Sequence, residues 1–235
     1  GYTLAFAGTT LCLAHFLRES VTYDPVRDFA PITLAIKQPT VLVVHPSLPV
    51  KSVKDLIALA KARPGELNYA SGPIGGPQHL TGELFKAMAG IDVVVIPYRG
   101  AGPGINALVG GHVQFMFPSP GSVAPHVKSG RLKALAVTSA QSSALLPGLP
   151  PIAADVPGYE SLSLVAYFAP ANTPAAIVAR LNQELVRTLH RADVKDTLLK
   201  AGVEVVGGPP EEVAAMLQTE MTKWGRLIKA AGIRE

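Results

Sequence analysis

The sequence predicts an α/β fold with a mostly parallel sheet, because strand-like apolar runs alternate with amphipathic helical segments along the chain. The continuous apolar run at residues 93–96 is typical of a strand that is covered on both faces. The segment that begins at Pro77 has helical periodicity, and it places Leu80, Leu84 and Met88 on one face that is expected to be buried. Alternation of these two element types is what a parallel sheet with crossover helices requires.

The individual elements follow from local patterns. Apolar runs bounded by glycine or proline predict the strands, which are residues 2–7, 41–44, 67–71, 93–96, 113–117, 132–138 and 162–170. Apolar residues at helical spacing predict the helices, which are residues 10–18, 52–63, 77–89, 105–109, 174–189 and 209–231, with a further short helix before residue 132. The Ser52 hydroxyl and the Asp55 carboxylate favour a helix start, and Gly90 favours a helix end. The irregular, proline-rich segment 145–160 is interpreted as a crossover between lobes.

Composition excludes several classes of protein. Hydrophobic residues make up 48% of the chain, which excludes general disorder, and no uninterrupted apolar run is long enough to span a membrane. The net charge of +4 comes from basic residues that are scattered along the chain, and only 6% of residues are aromatic. Nucleic-acid binding requires a clustered basic surface, so no nucleic-acid partner is expected. The mild positive charge suits a small anionic ligand.

The sequence contains no recognisable motif for catalysis, metal binding or cofactor binding. Ser71 and His79 are near each other in the chain, but the glycine pattern of a nucleophile elbow does not surround the serine. The glycine-rich stretch that begins at Gly100 matches neither the dinucleotide-binding pattern nor the P-loop. Carboxylates are sparse, and Glu220 is expected on a solvated helix face. We therefore expect a protein that is not an enzyme and that has no catalytic residue, no cofactor and no metal.

The stretch YASGPIGGPQHL, residues 69–80, is the strongest candidate for a binding site. It joins a predicted strand to a predicted helix, whose first N–H groups have no intrahelical partner and carry about half a positive charge. Glycines let a ligand approach the backbone, and proline contributes no N–H. The donors available to a carboxylate or phosphate are then those of Ser71, Gly75, Gly76, Gln78 and His79. On spacing alone, a glycine-rich turn that only redirects the chain, with His79 bonded to a backbone group, remains the alternative.

Further motifs run through the whole chain in a characteristic order. They are YDPVRDFAPIT near the start, then IPYRGAGP, GGHVQFMF, LKALAVTSA and VPGYE, and finally PPEEVAAMLQTEMTKWGRLIKAAGI. Together with residues 69–80, this combination resembles the receptors of tripartite tricarboxylate transporters, the TctC or Bug family. The resemblance implies a class II periplasmic binding protein with two α/β lobes, which close around a small carboxylate and deliver it to membrane transporter subunits.

The resemblance also implies the lobe boundaries and a ligand site. Lobe 2 would comprise residues 44–154, and lobe 1 would comprise residues 1–43 and 155–235. The implied ligand-binding residues lie in three segments and are Ser71, Gly72, Gly75, Gly76, Gln78, His79, Tyr98, Gly100, Pro118 and Ser119. Some members of the family serve membrane sensor kinases instead of transporters, so a sensing role is the alternative; a small-molecule enzyme is a weaker one.

The chain departs from the family pattern at three places. Gly76 stands where relatives often carry a polar residue, so a side-chain hydroxyl is missing from the implied site. Pro118 stands where many relatives carry an aspartate that can accept from a ligand ammonium, so a di- or hydroxy-carboxylate without a free amine is expected. The family's first strand and loop, which normally precede GYTL, are missing, so lobe 1 is expected to be incomplete. We expect such a chain to bind acids weakly and to self-associate through the exposed strand edge.

Overall fold

The computed structural model describes residues 3–143 and 146–234 of the chain, which form two compact units. Unit 1 comprises Gly1–Gln38 and Ser163–Glu235, and unit 2 comprises Pro39–Leu162. Each unit contains one β-sheet with helices, which confirms the α/β class. The lobe boundaries implied by the resemblance stay a prediction, because lobes defined by ligand closure need not coincide with units defined by packing.

The strands and helices of the described residues are numbered in chain order. The strands are β1 (Ala5–Gly8), β2 (Phe29–Pro39), β3 (Val41–Val44), β4 (Asn68–Ser71), β5 (Val94–Pro97), β6 (Phe115–Met116), β7 (Lys133–Val137), β8 (Leu162–Pro170) and β9 (Glu204–Val205). The helices are α1 (Thr10–Leu17), α2 (Val53–Ala62), α3 (Pro77–Ala89), α4 (Ala101–Val109), α5 (Pro120–Lys128), α6 (Ala175–Leu189), α7 (Ala192–Lys200) and α8 (Pro210–Ala231), with a 3₁₀ turn at Ile152–Ala154. None of the helices in these described ranges is long and apolar enough to cross a membrane.

Unit 1 is built on a four-stranded sheet with the order β1-β8-β2-β9. β1 pairs antiparallel with β8, and β2 pairs antiparallel with β9. The packing of α1 against α8 buries Glu220, which is 5% exposed and accepts from the Trp224 indole at 2.6 Å and from the Lys223 ammonium at 2.7 Å. The expectation of a solvated Glu220 was therefore wrong. A buried carboxylate needs such partners, and these two lie three and four residues further along the same helix.

Unit 2 is built on a five-stranded sheet with the order β5-β4-β6-β3-β7. β4 runs parallel to β5 and β6, whereas β3 runs antiparallel to β6 and β7. The sheet of unit 2 is therefore mixed, and the β1–β8 and β2–β9 pairings of unit 1 are antiparallel, so the expectation of mostly parallel sheets is corrected. The carboxyl ends of β4, β5 and β6 consequently lie at one edge of the sheet, which we call the open edge, and β3 ends at the opposite edge.

An aromatic cluster in the core of unit 2 holds α3 against the sheet. The Tyr69 ring stacks on Phe115 with the centroids 5.5 Å apart, and Phe85 of α3 contacts Phe115 edge-on at 6.4 Å. Gly82 makes the close approach of α3 possible, because a Cβ added there would lie 2.3 Å from the Tyr69 ring. The Tyr69 hydroxyl donates to the Glu83 carboxylate at 2.8 Å, which adds a polar contact between β4 and α3. These contacts determine where the first turn of α3 lies.

Several element boundaries differ from the predictions. The predicted strand at 2–7 is observed as Ala5–Gly8, and residue 2 lies outside the described residues, as does residue 145 of the predicted crossover. β2 was not predicted, because Pro31 interrupts its pattern and partly buried residues blur the alternation of its faces. The stretch after Tyr98 was expected to be a loop as far as residue 104, but α4 begins at Ala101. Met88 is 40% exposed and does not belong to the buried face of α3.

Candidate functional site

Three helices of unit 2 begin at the open edge. β4 leads through Gly72–Gly76 into α3, which starts at Pro77 as predicted, while β5 and β6 lead into α4 and α5 through shorter connections. The Tyr98 amide donates to the Ser71 carbonyl at 2.9 Å, which holds the second connection beside the first. Because parallel strands end at the same edge, residues that are far apart in the chain are brought together here.

The N-termini of these three helices lack the side chains that normally cap a helix. Gly76 and Gly100 occupy the N-cap positions of α3 and α4 and offer no side-chain acceptor. Ser119 occupies the N-cap of α5, but its hydroxyl donates to Ser122 Oγ at 3.0 Å instead of accepting from a first-turn amide. No acidic residue lies in the first turn of any of the three. The positive ends of these three helix dipoles are therefore not balanced by an acidic side chain in their own first turns.

The structure changes which amides of the glycine-rich loop can meet a ligand. The Gly75 amide donates to the His79 Nδ1 atom at 3.2 Å, and the Gly76 amide donates to the Pro73 carbonyl at 3.0 Å. The Ser71 hydroxyl is also used, since it donates to the Gly72 carbonyl at 2.7 Å. The Gly75 and Gly76 amides thus have acceptors within the loop, which a ligand would have to replace, and their assignment as donors to a ligand stays a prediction.

Two amides of the first turn of α3 remain as donors. The first intrahelical bond at this end runs from Leu80 to the Gly76 carbonyl at 3.0 Å, so the Gln78 and His79 amides precede the helical pattern. Neither has a backbone acceptor within the described part of the chain. Both lie at the positive end of a 13-residue helix. This pair is the anion-binding feature that the geometry supports best.

His79 shapes the loop through its ring. Its Nδ1 atom accepts from the Gly75 amide, so the neutral imidazole carries its proton on Nε2. Burial lowers the pKa of this imidazole; the Glu83 carboxylate opposes the shift and the Lys86 ammonium reinforces it. Gly75 adopts a φ of 76°, which favours glycine and brings its amide to the ring. The bond between His79 and a backbone group, which the alternative interpretation expected, is thus present, while the Gln78 and His79 amides remain without a backbone acceptor.

The remaining predicted residues line the same edge in different ways. Gly100 has a φ of 124°, and a Cβ added there would meet no atom within 4 Å. Pro118 is buried, and a proline side chain has no polar atom to offer a ligand. Its carbonyl accepts from the Val41 amide at 3.0 Å. Gln114 cannot serve instead, because its Oε1 atom accepts from the Asn68 amide at 2.7 Å, at the start of β4 and hence at the opposite edge. The ligand-binding roles of all ten residues named from the resemblance stay predictions.

Local sequence patterns missed two side chains that support this site. Thr81 and Ser161 are both 3% exposed and join their hydroxyl groups at 2.7 Å. They are 80 residues apart in the chain, so no spacing pattern could have paired them. Among the described residues, no group of three histidine, cysteine or acidic side chains could hold a metal ion.

Comparison with known proteins gives a consistent result. The family model described as "Tripartite tricarboxylate transporter family receptor" matches residues 1–233. The chain is 36% identical to a protein encoded in the tcbD-tcbE intergenic region of Pseudomonas sp. strain P51, over 97% of this chain and 68% of that protein. It is 31% identical to Protein BugT of Bordetella pertussis, over 100% of this chain and 73% of the relative.

Solved structures show the same fold. The R. palustris protein Rpa4515, solved with adipate, matches with a TM-score of 0.86 and 35% identity, over 100% of this chain and 80% of its own. MatC from Rhodopseudomonas palustris, solved with bound malate, matches with a TM-score of 0.79 and 27% identity, over 96% and 79% of the two chains. The resemblance seen in the motifs is confirmed: this chain belongs to the tripartite tricarboxylate transporter receptor family, whose members are solute-binding receptors and not enzymes.

Proposed function

We propose that the protein captures a small carboxylate at the open edge of unit 2 and delivers it to a membrane transporter of the tripartite tricarboxylate type. The observation that supports this proposal most strongly is the meeting of three uncapped helix N-termini at one edge of the sheet. The Gln78 and His79 amides are the proposed donors to one ligand carboxylate, and the connections at Tyr98–Gly100 and Pro118–Ser119 are the proposed walls of the site.

The free energy of binding indicates that one pair of amides is not sufficient. Charge-assisted hydrogen bonds contribute about 1.5–3 kcal/mol each. Immobilising a ligand costs roughly 4–15 kcal/mol, while micromolar affinity requires a net of about −8 kcal/mol. The proposal therefore includes contributions from the α4 and α5 N-termini and the closure of two lobes that is typical of such receptors. Closure is favoured by a ligand only to the extent that the ligand binds the closed state more tightly.

The proposed ligand is a dicarboxylate or hydroxy-carboxylate without a free amine. A buried ammonium requires an acceptor, and neither the buried Pro118 nor the bonded Gln114 supplies one at this edge. Adipate and malate, which occupy two similar receptors, both lack an ammonium.

Calorimetry with a matched panel of acids tests this function. We expect adipate or malate to bind, and we expect glutamate and aspartate, which add an ammonium to a dicarboxylate, to bind at least about tenfold more weakly, since an unpaired buried charge is costly. The diamide of adipate controls for the requirement for negative charge and should not bind. Tight binding of glutamate or aspartate, or equal binding of the diamide, would contradict the proposal.

The proposed place of action is the periplasm, where receptors of this family meet their transporters. Two of the similar solved structures are described as a periplasmic transporter and as the periplasmic binding protein BugD. Uptake of radiolabelled ligand by cells with and without the receptor tests the transport role. Unchanged uptake, combined with loss of a ligand-dependent transcriptional response, would support the sensor-kinase alternative instead.

We also propose that this chain can self-associate through β1. Among the strands described, β1 is an outermost strand of its sheet; its Phe6 is 54% exposed, and Leu4, which directly precedes the strand, is 37% exposed. An exposed apolar edge strand is a template for pairing with another chain. Sedimentation velocity should show dimers or larger species that decrease in the Phe6→Lys variant; a monomer at all concentrations would contradict this expectation.

A further inference from the structure

A set of hydroxyl groups lies where the chain passes between the two units. The chain passes from unit 1 to unit 2 after Gln38 and returns after Leu162. We call residues 38–40 and 159–163 the two crossover segments; Thr40 lies in the first and Ser161 in the second, and both belong to unit 2. The Thr40 amide donates to Thr138 Oγ1 at 2.8 Å, and the Ser161 amide donates to the Thr138 carbonyl at 2.9 Å. Thr138 therefore joins both crossover segments.

The same crossover segment also holds the first turn of α3. The Thr81 hydroxyl donates to the Pro77 carbonyl at 2.8 Å, so its single proton is used there. The hydroxyl contact between Thr81 and Ser161 at 2.7 Å must then be donated by Ser161. The Tyr159 hydroxyl adds a second bond, to the Thr81 carbonyl at 3.1 Å. Two side chains of one crossover segment thus bond to one residue near the start of α3.

These hydrogen bonds are buried, so losing a partner is costly. Thr138 and Tyr159 are 0% exposed, and Thr81 and Ser161 are 3% exposed. A buried hydroxyl that loses its partner cannot replace that partner with water, so each bond favours one arrangement of the two segments that it joins. Thr138, Ser161 and Thr81 form a continuous series from Thr40 at one crossover segment to Pro77 at the open edge. A displacement of either crossover segment would have to break some of these hydrogen bonds or move the first turn of α3 with it.

We propose that Thr81, Ser161 and Thr138 are positioning residues, which couple the crossover segments to the N-terminus of α3. This inference rests on the proposed function, in which the Gln78 and His79 amides bind the ligand carboxylate. Any change in the arrangement of the units must bend the chain at the crossover segments, because these are its covalent connections. Ligand binding at α3 and the conformation of the crossover segments then depend on each other, as reciprocal coupling requires.

Hydrogen exchange of the ligand-free protein tests the coupling first. In Thr138→Val, the Thr40 amide loses its acceptor and should exchange faster by about fivefold or more, as expected for the loss of a buried hydrogen bond. The Ser161 and Leu80 amides keep their carbonyl acceptors, so faster exchange at these two sites, which we also expect, reports the coupling itself. Thr138→Ser keeps the hydroxyl and should restore wild-type exchange. Thr219→Val is the matched control, because the Thr219 hydroxyl bonds to the Ala215 carbonyl on an exposed face of α8. Unchanged exchange at Leu80 in Thr138→Val would overturn the proposal.

A second measurement separates this proposal from the function on which it rests. Adipate or malate, whichever calorimetry shows to bind, should slow exchange of the Thr40 amide in the wild-type protein. Thr81→Val and Ser161→Ala should remove that effect and weaken binding by about tenfold or less, whereas Thr81→Ser should preserve both. Retained ligand protection of Thr40 in Thr81→Val would refute the coupling alone. Absence of binding by any acid in the wild-type protein, together with faster exchange at Leu80 in Thr138→Val, would refute only the proposed function.

Discussion

Helix N-termini at the two edges of the unit 2 sheet differ in whether side chains cap them. At the edge where β3 ends, α2 begins with a side-chain cap and an acidic residue: Ser52 Oγ accepts from the Asp55 amide at 3.1 Å, and the Asp55 carboxylate accepts from the Lys51 amide at 2.9 Å. At the open edge, α3 begins after Gly76, with no side-chain cap and no acidic residue in its first turn. The backbone has the same unsatisfied groups at both ends, so the side chains decide what becomes of them.

The two helix starts differ in whether the helix supplies its own anion. Hydrogen bonds from the Lys51 amide, followed by the Ser52 hydroxyl, lower the pKa of the Asp55 carboxyl, so α2 carries its own anion at neutral pH. α3 carries none, and its Gln78 and His79 amides precede the helical bonding pattern. A small carboxylate at α3 would take the place that Asp55 occupies at α2. We therefore propose that the open edge binds a carboxylate because the first turns of its helices carry none of their own.

Supplying the missing carboxylate should have the largest effect. In Gln78→Glu, the new charge lies in the first turn of α3 and repels a ligand carboxylate about 5 Å away by roughly 1–3 kcal/mol. Calorimetry should therefore show binding weakened by about fivefold to a hundredfold, with the fold intact. Gln218→Glu, on the exposed face of α8, adds the same charge away from the site and should bind normally. Unaltered affinity in Gln78→Glu would show that the ligand carboxylate does not bind at the first turn of α3.

Restricting the glycine-rich loop should have the next largest effect. Gly75 has a φ of 76°, so Gly75→Ala is expected to destabilise the protein by about 1–2 kcal/mol. The substitution also disturbs the bond to His79 Nδ1, so ligand binding should weaken as well. Urea unfolding measures the loss of stability. Gly102→Ala is the matched control, since its φ is not positive and an added Cβ meets nothing within 4 Å; equal stability of the two variants would argue against the strained loop.

Removing the cap at the other edge should affect stability alone. Ser52→Ala deletes the acceptor of the Asp55 amide and should lower the free energy of unfolding by about 1 kcal/mol. Carboxylate affinity should not change, because α2 begins at the opposite edge of the sheet. Thermal unfolding and calorimetry of the same sample measure both quantities, and Ser52→Thr, which keeps a hydroxyl, should behave as wild type. A loss of carboxylate affinity in Ser52→Ala would contradict the proposal that binding depends on the open edge and not on the start of α2.

The smallest effect concerns pH. The folded state lowers the pKa of His79 below its ordinary value of 6.5, so above that value the ring is neutral both folded and unfolded. As the pH falls below 6.5, the unfolded chain takes up a proton that the folded chain does not, and stability decreases until the pH reaches the lowered pKa. In His79→Asn, an amide oxygen can accept from Gly75 without titrating, so urea unfolding should show less loss of stability in acid. An identical pH profile would mean that His79 does not titrate as described.

Local patterns predicted the parts of the site that depend on residue type at a single position. The cap formed by Ser52, the start of α3 at Pro77 and its end at Gly90, with a φ of 60°, follow from the conformational preferences of serine, proline and glycine. The use of the Gly75 amide by His79 could not be predicted, because it requires both a positive φ and one orientation of the imidazole ring.

Features that depend on distant parts of the chain were beyond local patterns. The pairing of Thr81 with Ser161 depends on the path of the chain after β7 and has no sequence signal of its own. The burial of Glu220 had a weak signal, a tryptophan four residues further along α8, which is within reach of a carboxylate on the same helical face. The antiparallel direction of β3 depends on the path by which the chain connects the strands. The alternation of strands and helices along the sequence does not determine that path.

An amide NMR titration with adipate or malate, whichever calorimetry shows to bind, tests most directly whether a carboxylate binds at the first turn of α3. We expect the Gln78 and His79 amide protons to move downfield as they donate to the ligand carboxylate, while the Val53 and Lys54 amides, in the first turn of α2, stay unchanged. Saturation of the shifts at the concentration given by calorimetry would link them to the same binding event. Binding that leaves the Gln78 and His79 amides unshifted, or that shifts the first turn of α2 equally, would contradict the claim.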